Sequence, residues 1–162
     1  MSIAAVRAYF SQRGLEDRIQ EFNVSSATVE LAAQAAGVIP ARIAKTLSFL
    51  VDNHAVLIVT AGDAKVDNPK YKAQFGTKAK MLTPDQVLEL VGHAVGGVCP
   101  FVVKEGVDVY LDVSMKRFAT IFPAAGSASS AIELTCDELE QNAVNCQGWI
   151  DVCKGWQEHP EG

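Results

Sequence analysis

The chain has 162 residues, enough for one domain with a buried core, and 49% of them are hydrophobic and 20% charged. The formal net charge of −5 argues against a protein that grips long nucleic acid by bulk electrostatics, but not against contact with one RNA end. The sequence contains no apolar run of roughly 18 residues, so no membrane span is predicted. It also has no apolar N-terminal segment, so no signal peptide is predicted. We therefore expect a cytoplasmic protein that binds neither DNA nor a membrane.

The cysteines and histidines do not predict a metal or cofactor site. The chain contains Cys99, Cys136, Cys146 and Cys153, together with His54, His93 and His159. No CxxC pair is present and no histidine stands at ligand spacing, so we expect reduced thiols, no bound metal and no cofactor. The common glycine-rich nucleotide loops, the zinc-protease motif and the hydrolase GxSxG motif are also missing.

Periodicity, capping residues and turn residues predict the elements in chain order. Helices are expected at residues 2–12, 28–36, 68–75, 83–91 and 135–143. Strands are expected at residues 18–24, 43–51, 55–61, 107–113, 119–122, 131–134 and 149–150, with a frayed tail from about 154. Residues 43–51 and 55–61 are joined by a tight polar turn, which favours an antiparallel pair at the middle of the sheet. Helices that interleave with such a hairpin predict a single α+β domain, residues 1–162, with a mixed sheet.

The strand at residues 43–51 contains one charge. Because side chains alternate along a strand, Lys45 falls on the same face as Leu47 and Phe49, toward the core. A lysine is rarely buried without a partner. Either its long stem carries the ammonium out to an edge, or the ammonium lines a polar cavity and meets a carbonyl, phosphate or ribose oxygen. The pattern leaves both alternatives open.

A basic segment follows the second strand of this hairpin. Its lysines are Lys65, Lys70, Lys72, Lys78 and Lys80, and they are opposed only by Asp63 and Asp67. In an acidic chain this local reversal of sign indicates either a solvated helix face or a small patch that binds one or two phosphates of an RNA end.

Two loops of small residues are further candidates for a binding site. In residues 96–101 two glycines precede a proline, which suits a stiff loop that presents backbone N–H groups closely to a ligand. Residues 126–130 form a second turn, with hydroxyl groups at Ser127, Ser129 and Ser130. Each loop is equally compatible with a simple connection between elements.

Five motifs in a fixed order carry a resemblance to a known family. They lie at residues 45–49 (KTLxF), 62–63 (GD), 96–101 (GGxxPF), 109–114 (VYLDxS) and 124–135 (AAGSxxxxIELT). In this order and spacing they resemble the YbaK/prolyl-tRNA synthetase-associated editing domain family, over roughly residues 22 to 150. The resemblance implies a mixed, strongly curved, barrel-like sheet surrounded by helices.

The resemblance also implies an activity. Members hydrolyse the ester of amino acids wrongly attached to tRNA, mostly tRNA for proline, and this chain resembles a free-standing member that acts on alanyl-, cysteinyl- or seryl-tRNA. The implied partner is the acceptor end of mischarged tRNA, and prolyl-tRNA synthetase stays open as a second partner. A second sieve of this kind is needed because one methylene group contributes only ~1–3 kcal/mol of discrimination. An aminoacyl ester is already activated, so positioning and backbone donors can suffice for its hydrolysis.

The residues of the family's site carry over by position. Lys45 matches the essential lysine, which we expect to hold the terminal adenosine or its phosphate, and the lysines of the basic segment are the expected tRNA contacts. The expected substrate-binding residues are Gly96, Gly97, Pro100, Phe101, Asp112, Gly126, Ser127 and Ser129. Two departures bear on substrate identity: Val102 replaces a glycine common in the family, and Ser129 stands near a position where some relatives carry histidine.

Three other hypotheses remain from the sequence. The chain could keep the fold as a tRNA-end or aminoacyl-binding module without hydrolysis. Cys99, in the glycine loop, could be a nucleophile, although no histidine is placed in sequence to activate it. Lys45 could form a Schiff base with a carbonyl substrate.

Overall fold

The computed structural model describes residues 3–157. In this range the helices are α1 (Ile3–Ser11), α2 (Val29–Ala36), α3 (Asn68–Phe75), α4 (Pro84–Gln86) and α5 (Cys136–Asn142). Helix α4 continues as one π-helical turn, Val87–Val91, and short 3₁₀ helices lie at Glu16–Arg18, Pro40–Arg42 and Val113–Arg117. No helix of residues 3–157 is long and apolar enough to cross a membrane.

Nine strands are present among the described residues. They are β1 (Ile19–Glu21), β2 (Ile43–Val51), β3 (His54–Ala61), β4 (Lys65–Val66), β5 (Asp108–Asp112), β6 (Phe122–Pro123), β7 (Ser130–Ile132), β8 (Cys146–Ile150) and β9 (Cys153–Lys154). Five form one sheet in the order β6-β2-β3-β5-β8, and the pairs β1-β7 and β4-β9 lie beside it. Only β2 and β3 are antiparallel within the five-stranded sheet. The sheet curls strongly into a half-barrel, so the predicted α+β fold with a mixed, curved sheet is confirmed.

The β2–β3 hairpin is the centre of this sheet. Its loop consists of Asp52 and Asn53, which both adopt positive φ angles of 49° and 66°. A two-residue loop of this kind matches the right-handed twist of the strands it joins. From His54 onward β3 is almost wholly buried, as its uninterrupted apolar sequence predicts. The predicted hairpin is therefore confirmed.

The predicted helix ends are also confirmed by side-chain caps. Thr83 and Thr135 each accept a hydrogen bond from the backbone of the residue three positions later, and each forms a complete capping box. Thr28 caps α2 in a similar way through Leu31 N–H. Gly37 ends α2 with a φ of 72°, in the left-handed region that favours glycine.

Some predicted boundaries are wrong. The strand predicted at 107–113 ends at Asp112 because that carboxylate accepts the Ser114 N–H and starts a 3₁₀ helix. The strand predicted at 119–122 is β6, which begins three residues later at Phe122 and ends at Pro123. The tail predicted from about 154 begins too early, since Lys154 pairs with Lys65 and Trp156 packs against the core. Residues 158–162 lie outside the described part.

Candidate functional site

A gap in the edge of β2 defines the candidate site. On this edge β6 pairs with Ile43 and Ala44, and further along Leu82 N–H donates to Ser48 O at 3.0 Å. Backbone groups of alternate residues point to the same edge of a strand. The backbone of Thr46 therefore faces the opening between these two pairings.

A cavity of about 400 Å³ fills this gap. Its walls come from β2, the start of α2, the segment around α4, the glycine loop and the β6–β7 region. The lining residues are Ser26, Ala27, Thr28, Val29, Ala32, Ile43, Ala44, Lys45, Thr46, Leu47, Ser48, Met81, Leu82, Pro84, Val87, Val95, Gly96, Val98, Phe122, Ala124, Ser130 and Ala131. Most of these side chains are apolar, and Lys45 is the one ionisable side chain among them.

Three loops pack together to build one wall. A Cβ atom on Gly97 would lie 3.0 Å from the Cα of Ser127, and one on Gly96 would lie 3.1 Å from the Cβ of Ala27. Ser26 N–H donates to Ala128 O, which joins the loop at 25–28 to the loop at 126–130. Sequence reasoning singled out the loops at 96–101 and 126–130 and missed the loop at 25–28. Its Ser-Ser-Ala-Thr run carried no signal beyond helix capping.

Lys45 lies where β2 passes the cavity. Its ammonium donates to Ala64 O at 2.5 Å and lies 3.4 Å from Gly62 O, both in the turn that follows β3. The side chain is partly buried. Lys45 is one of the residues that line the cavity, and its ammonium meets two backbone carbonyls of the turn at 62–64.

The electrostatic surroundings of Lys45 are mixed. Burial lowers the pKa of its ammonium from the ordinary value, and the neighbouring Cys153, Asp63 and Glu30 oppose that change. Lys65 adds a further small lowering, so it lies close enough to contribute to the same field. The two backbone carbonyls use two of the three ammonium N–H groups. The remaining donor can serve a ligand oxygen.

Two hydroxyl groups in the wall have no partner among the described residues. The side-chain oxygens of Ser26 and Thr46 are buried and form no hydrogen bond. Buried polar atoms are normally paired, so these hydroxyls are suited to a polar ligand. Sequence reasoning did not identify either residue.

Some predicted substrate-binding residues lie behind the wall. Phe101 is fully buried and packs edge-on against Phe10, with ring centroids 4.7 Å apart. Pro100 is buried too, and its carbonyl accepts the Val144 N–H at 2.9 Å. These contacts anchor the glycine loop to α1 and to the chain after α5, so both residues support the loop from the core side.

Asp112 is likewise remote from the cavity lining. It is fully buried, and its carboxylate accepts the N–H groups of Ser114 and Val152, both at 2.9 Å. These bonds join β5 to the segment that leads into β9. The position suits a structural role behind Lys45 rather than direct contact with substrate.

The serine turn contributes to the wall mainly through its neighbours. Gly126 has a φ of 96°, which turns the chain toward the glycine loop. The Ser127 and Ser130 hydroxyls lie 2.7 Å apart, and Ser129 N–H donates to the Ser127 hydroxyl. Ser130 lines the cavity, whereas Gly126, Ser127 and Ser129 stand just behind it.

The predicted basic patch is divided by the fold. Lys70 donates to Asp151 at 2.9 Å and to Cys153 O at 3.1 Å, so its ammonium is engaged. Lys65 lies near Lys45, and Lys80 directly precedes Met81 of the cavity lining. The other two, Lys72 and Lys78, are exposed.

The thiol of Cys99 has a histidine neighbour that the sequence did not predict. His93 Nε2 lies 3.6 Å from its sulfur and 2.5 Å from Val102 O. An Nε2 that donates to that carbonyl cannot also accept a thiol proton. Burial raises the pKa of Cys99 to about 11. His93 is therefore a neighbour of Cys99 but is not placed to activate it, and the thiol stays protonated and enclosed.

Comparison with known proteins agrees with this fold. The sequence model of the aminoacyl-tRNA editing domain matches residues 24–141. The chain therefore belongs to the aminoacyl-tRNA editing domain family, as its resemblance predicted.

Several known proteins are similar to this chain. It is 54% identical over 97% of its length, and 100% of the relative's, to YwhH of Bacillus subtilis, an uncharacterised protein. A 90-residue stretch is 32% identical to a proline–tRNA ligase of Bacillus pumilus, covering 55% of this chain and 16% of the ligase. A crystal structure of a protein proposed to be a trans-editing enzyme for prolyl-tRNA synthetase superposes with a TM-score of 0.83. It shares 28% identity over 94% of this chain and 97% of that chain.

Proposed function

We propose that this protein is a trans-editing deacylase that hydrolyses the ester of a small amino acid mischarged on tRNA, most of all tRNA for proline. The observation that carries this proposal is the Lys45 ammonium, held by two backbone carbonyls at the wall of an apolar cavity in an aminoacyl-tRNA editing domain. A fixed cation beside an apolar cavity suits a ligand with an anionic or ribose end and a small apolar end.

The size of the cavity supports a small amino acid. A volume of about 400 Å³ is near the lower end of ligand pockets, which span about 300–1,000 Å³. The glycine loop cannot retreat easily, because Gly96 and Gly97 lie so close to Ala27 and Ser127 that an added Cβ would crowd them. Alanyl, cysteinyl and seryl groups are therefore the substrates we propose, and larger side chains are excluded by contact with this wall.

The chemistry proceeds by positioning. The free donor of Lys45 binds a phosphate or ribose oxygen of the terminal adenosine, and the Thr46 and Ser26 hydroxyls orient the aminoacyl group. Water adds to the ester carbonyl carbon, backbone N–H groups at the β2 gap or at Gly96 stabilise the oxyanion, and the ester C–O bond then breaks. No carboxylate or histidine is among the described lining residues, so the neighbouring ribose hydroxyl assists proton transfer and the leaving ribose oxygen takes up the proton.

The tRNA acceptor end reaches the cavity past Lys65 and Lys80. Each exposed lysine that contacts a phosphate makes the slope of log affinity against log salt more negative by about 0.7–0.9. Lys65→Gln and Lys80→Gln should therefore raise KM and flatten the salt dependence while kcat stays within a small factor. Lys70→Gln should change both less, because Asp151 already engages that ammonium. The proposal places the protein in the cytoplasm, with prolyl-tRNA synthetase as the partner that supplies mischarged tRNA.

A deacylation panel tests the proposal. The purified protein is incubated with alanyl-, cysteinyl-, seryl- and prolyl-tRNA for proline, and release of the amino acid is followed against a no-protein control. We expect fast release of at least one small amino acid and none of proline. No release from any substrate would refute the deacylase proposal. Tight binding of a non-hydrolysable alanyl-tRNA analogue with no turnover would instead identify a binding module.

A further inference from the structure

The turn that holds Lys45 is itself clamped from the opposite side. The carboxylate of its middle residue, Asp63, pairs with Arg117, with N–O distances of 2.5 and 2.9 Å. Such a two-point pair fixes the direction of a carboxylate as well as its position. The Arg117 side chain is only 6% exposed and that of Asp63 18%, so water competes little for the pair.

Arg117 has several supports of its own. Its Nε donates to Ser114 O at 2.7 Å, and a terminal nitrogen donates to Trp156 O at 3.2 Å. Its guanidinium also lies 4.7 Å from the ring centroid of Phe118 and 5.3 Å from that of Trp156. Because the Arg117 side chain has this many contacts, it is held rigidly and restricts the movement of the turn.

The same 3₁₀ helix holds the other end of the turn. The Ser114 hydroxyl accepts the N–H of Ala61, the last residue of β3, at 3.1 Å. On the outer side, Gly62 presses against Pro40, since a Cβ there would lie 2.1 Å from the Pro40 carbonyl oxygen. The turn at 62–64 therefore has little freedom to rotate its carbonyls away from Lys45.

We propose that Asp63 and Arg117 are positioning residues for Lys45, which hold the two carbonyl oxygens that fix the position of its ammonium. Neither residue lines the cavity, so they act through the turn and not on the substrate. Arg117 also keeps the Asp63 carboxylate occupied. Without Arg117, that carboxylate is free to compete with a ligand anion for the Lys45 ammonium.

The role of this pair in deacylation rests on the proposed function, but its effect on Lys45 can be measured without tRNA. An amine-acylating reagent, with mass-spectrometric readout, gives the labelling rate of Lys45 relative to exposed Lys72 in each protein. We expect Asp63→Asn and Arg117→Gln to change this ratio by about fivefold or more, as loss of about one hydrogen bond implies. Arg117→Lys keeps the charge but loses the two-point geometry of the guanidinium. We expect its labelling ratio to lie between those of these two variants and that of the natural protein.

The kinetic signature follows the same order. On a substrate that the natural protein hydrolyses, Asp63→Asn and Arg117→Gln should lower kcat about tenfold with KM changed less than about threefold, and Arg117→Lys should recover part of this loss. Leu139→Val, a buried change in α5 outside the cavity lining, controls for lower stability and should leave the labelling ratio and kcat unchanged.

An unchanged Lys45 labelling ratio in folded Asp63→Asn would overturn the proposal. So would a loss of kcat in Leu139→Val equal to that in Arg117→Gln at matched melting temperature. If the natural protein hydrolyses no aminoacyl-tRNA, the proposed function fails, while the labelling ratio still decides whether the pair positions Lys45.

Discussion

Replacing Lys45 with methionine is the most direct perturbation of the site. Methionine keeps an unbranched apolar stem in the same space and removes the ammonium, which otherwise donates to Ala64 O and approaches Gly62 O. We expect folding to survive. The loss of about 1.5–3 kcal/mol for a charged hydrogen bond is offset by relief from burying that charge, which already lowers the Lys45 pKa.

The effect on activity should be much larger than the effect on folding. One charge-assisted hydrogen bond to a substrate oxygen contributes about 1.5–3 kcal/mol, which corresponds to roughly 10- to 150-fold in kcat/KM. A phosphate within about 4 Å could add a Coulomb contribution of up to ~4 kcal/mol. A loss beyond about 150-fold would therefore indicate contact with a phosphate as well as a hydrogen bond.

Single-turnover deacylation measures this loss, with the melting temperature recorded for the same preparations. Lys45→Arg is the matched comparison, because it keeps the charge but presents a planar fork that cannot reproduce both carbonyl contacts. If folded Lys45→Met hydrolyses the substrate within threefold of the natural protein, the assigned role of Lys45 is wrong.

Three other predictions concern pH, the glycine loop and the buried thiol. Because burial lowers the Lys45 pKa below its ordinary 10.5 and the charged form binds substrate, catalysed deacylation, corrected for spontaneous hydrolysis, should fall with rising pH at a midpoint below 10.5. A midpoint above that value would contradict the assignment. Gly97→Ala places a Cβ 3.0 Å from Ser127 Cα, so it should cost about 1–3 kcal/mol of stability and also lower activity. Gly106→Ala, strained by a φ of 86° but in open space, should lower stability alone, and equal activities would refute this reading of the wall. Cys99→Ser should retain activity within about twofold. Iodoacetamide should alkylate Cys99 far more slowly than partly exposed Cys146, since burial raises the pKa of Cys99 to about 11. Rapid alkylation of Cys99 or a large loss of activity would show that the thiol takes part.

Local patterns determined most of the secondary structure of this chain. The alternation and apolar run in β2 and β3, the polar residues Asp52 and Asn53, and the capping boxes at Thr83 and Thr135 each act over a few residues. Their outcome could therefore be predicted without knowledge of the rest of the fold. The ordered motifs likewise indicated the family before any geometry was available.

Elements whose formation depends on distant partners were not predictable in this way. Strand β4 has two residues and exists because β9 pairs with it, and the same pairing gives Lys154 a place in the fold. Strand β6 begins at Phe122, where β2 offers an edge to pair with. Nothing in the local sequence around these residues specifies such partners.

The candidate site likewise combines features that local sequence predicts with features that depend on distant segments. The sequence by itself determined that Lys45 shares a strand face with Leu47 and Phe49, and it made residues 96–101 a candidate for a stiff loop. Only the tertiary structure decided that the ammonium is held by the turn at 62–64, that Ser26 and Thr46 line the cavity, and that Asp112 stands behind it. The reason is physical: side-chain direction along a strand follows from a period of two residues, whereas the opening in β2 arises from where distant segments stop pairing.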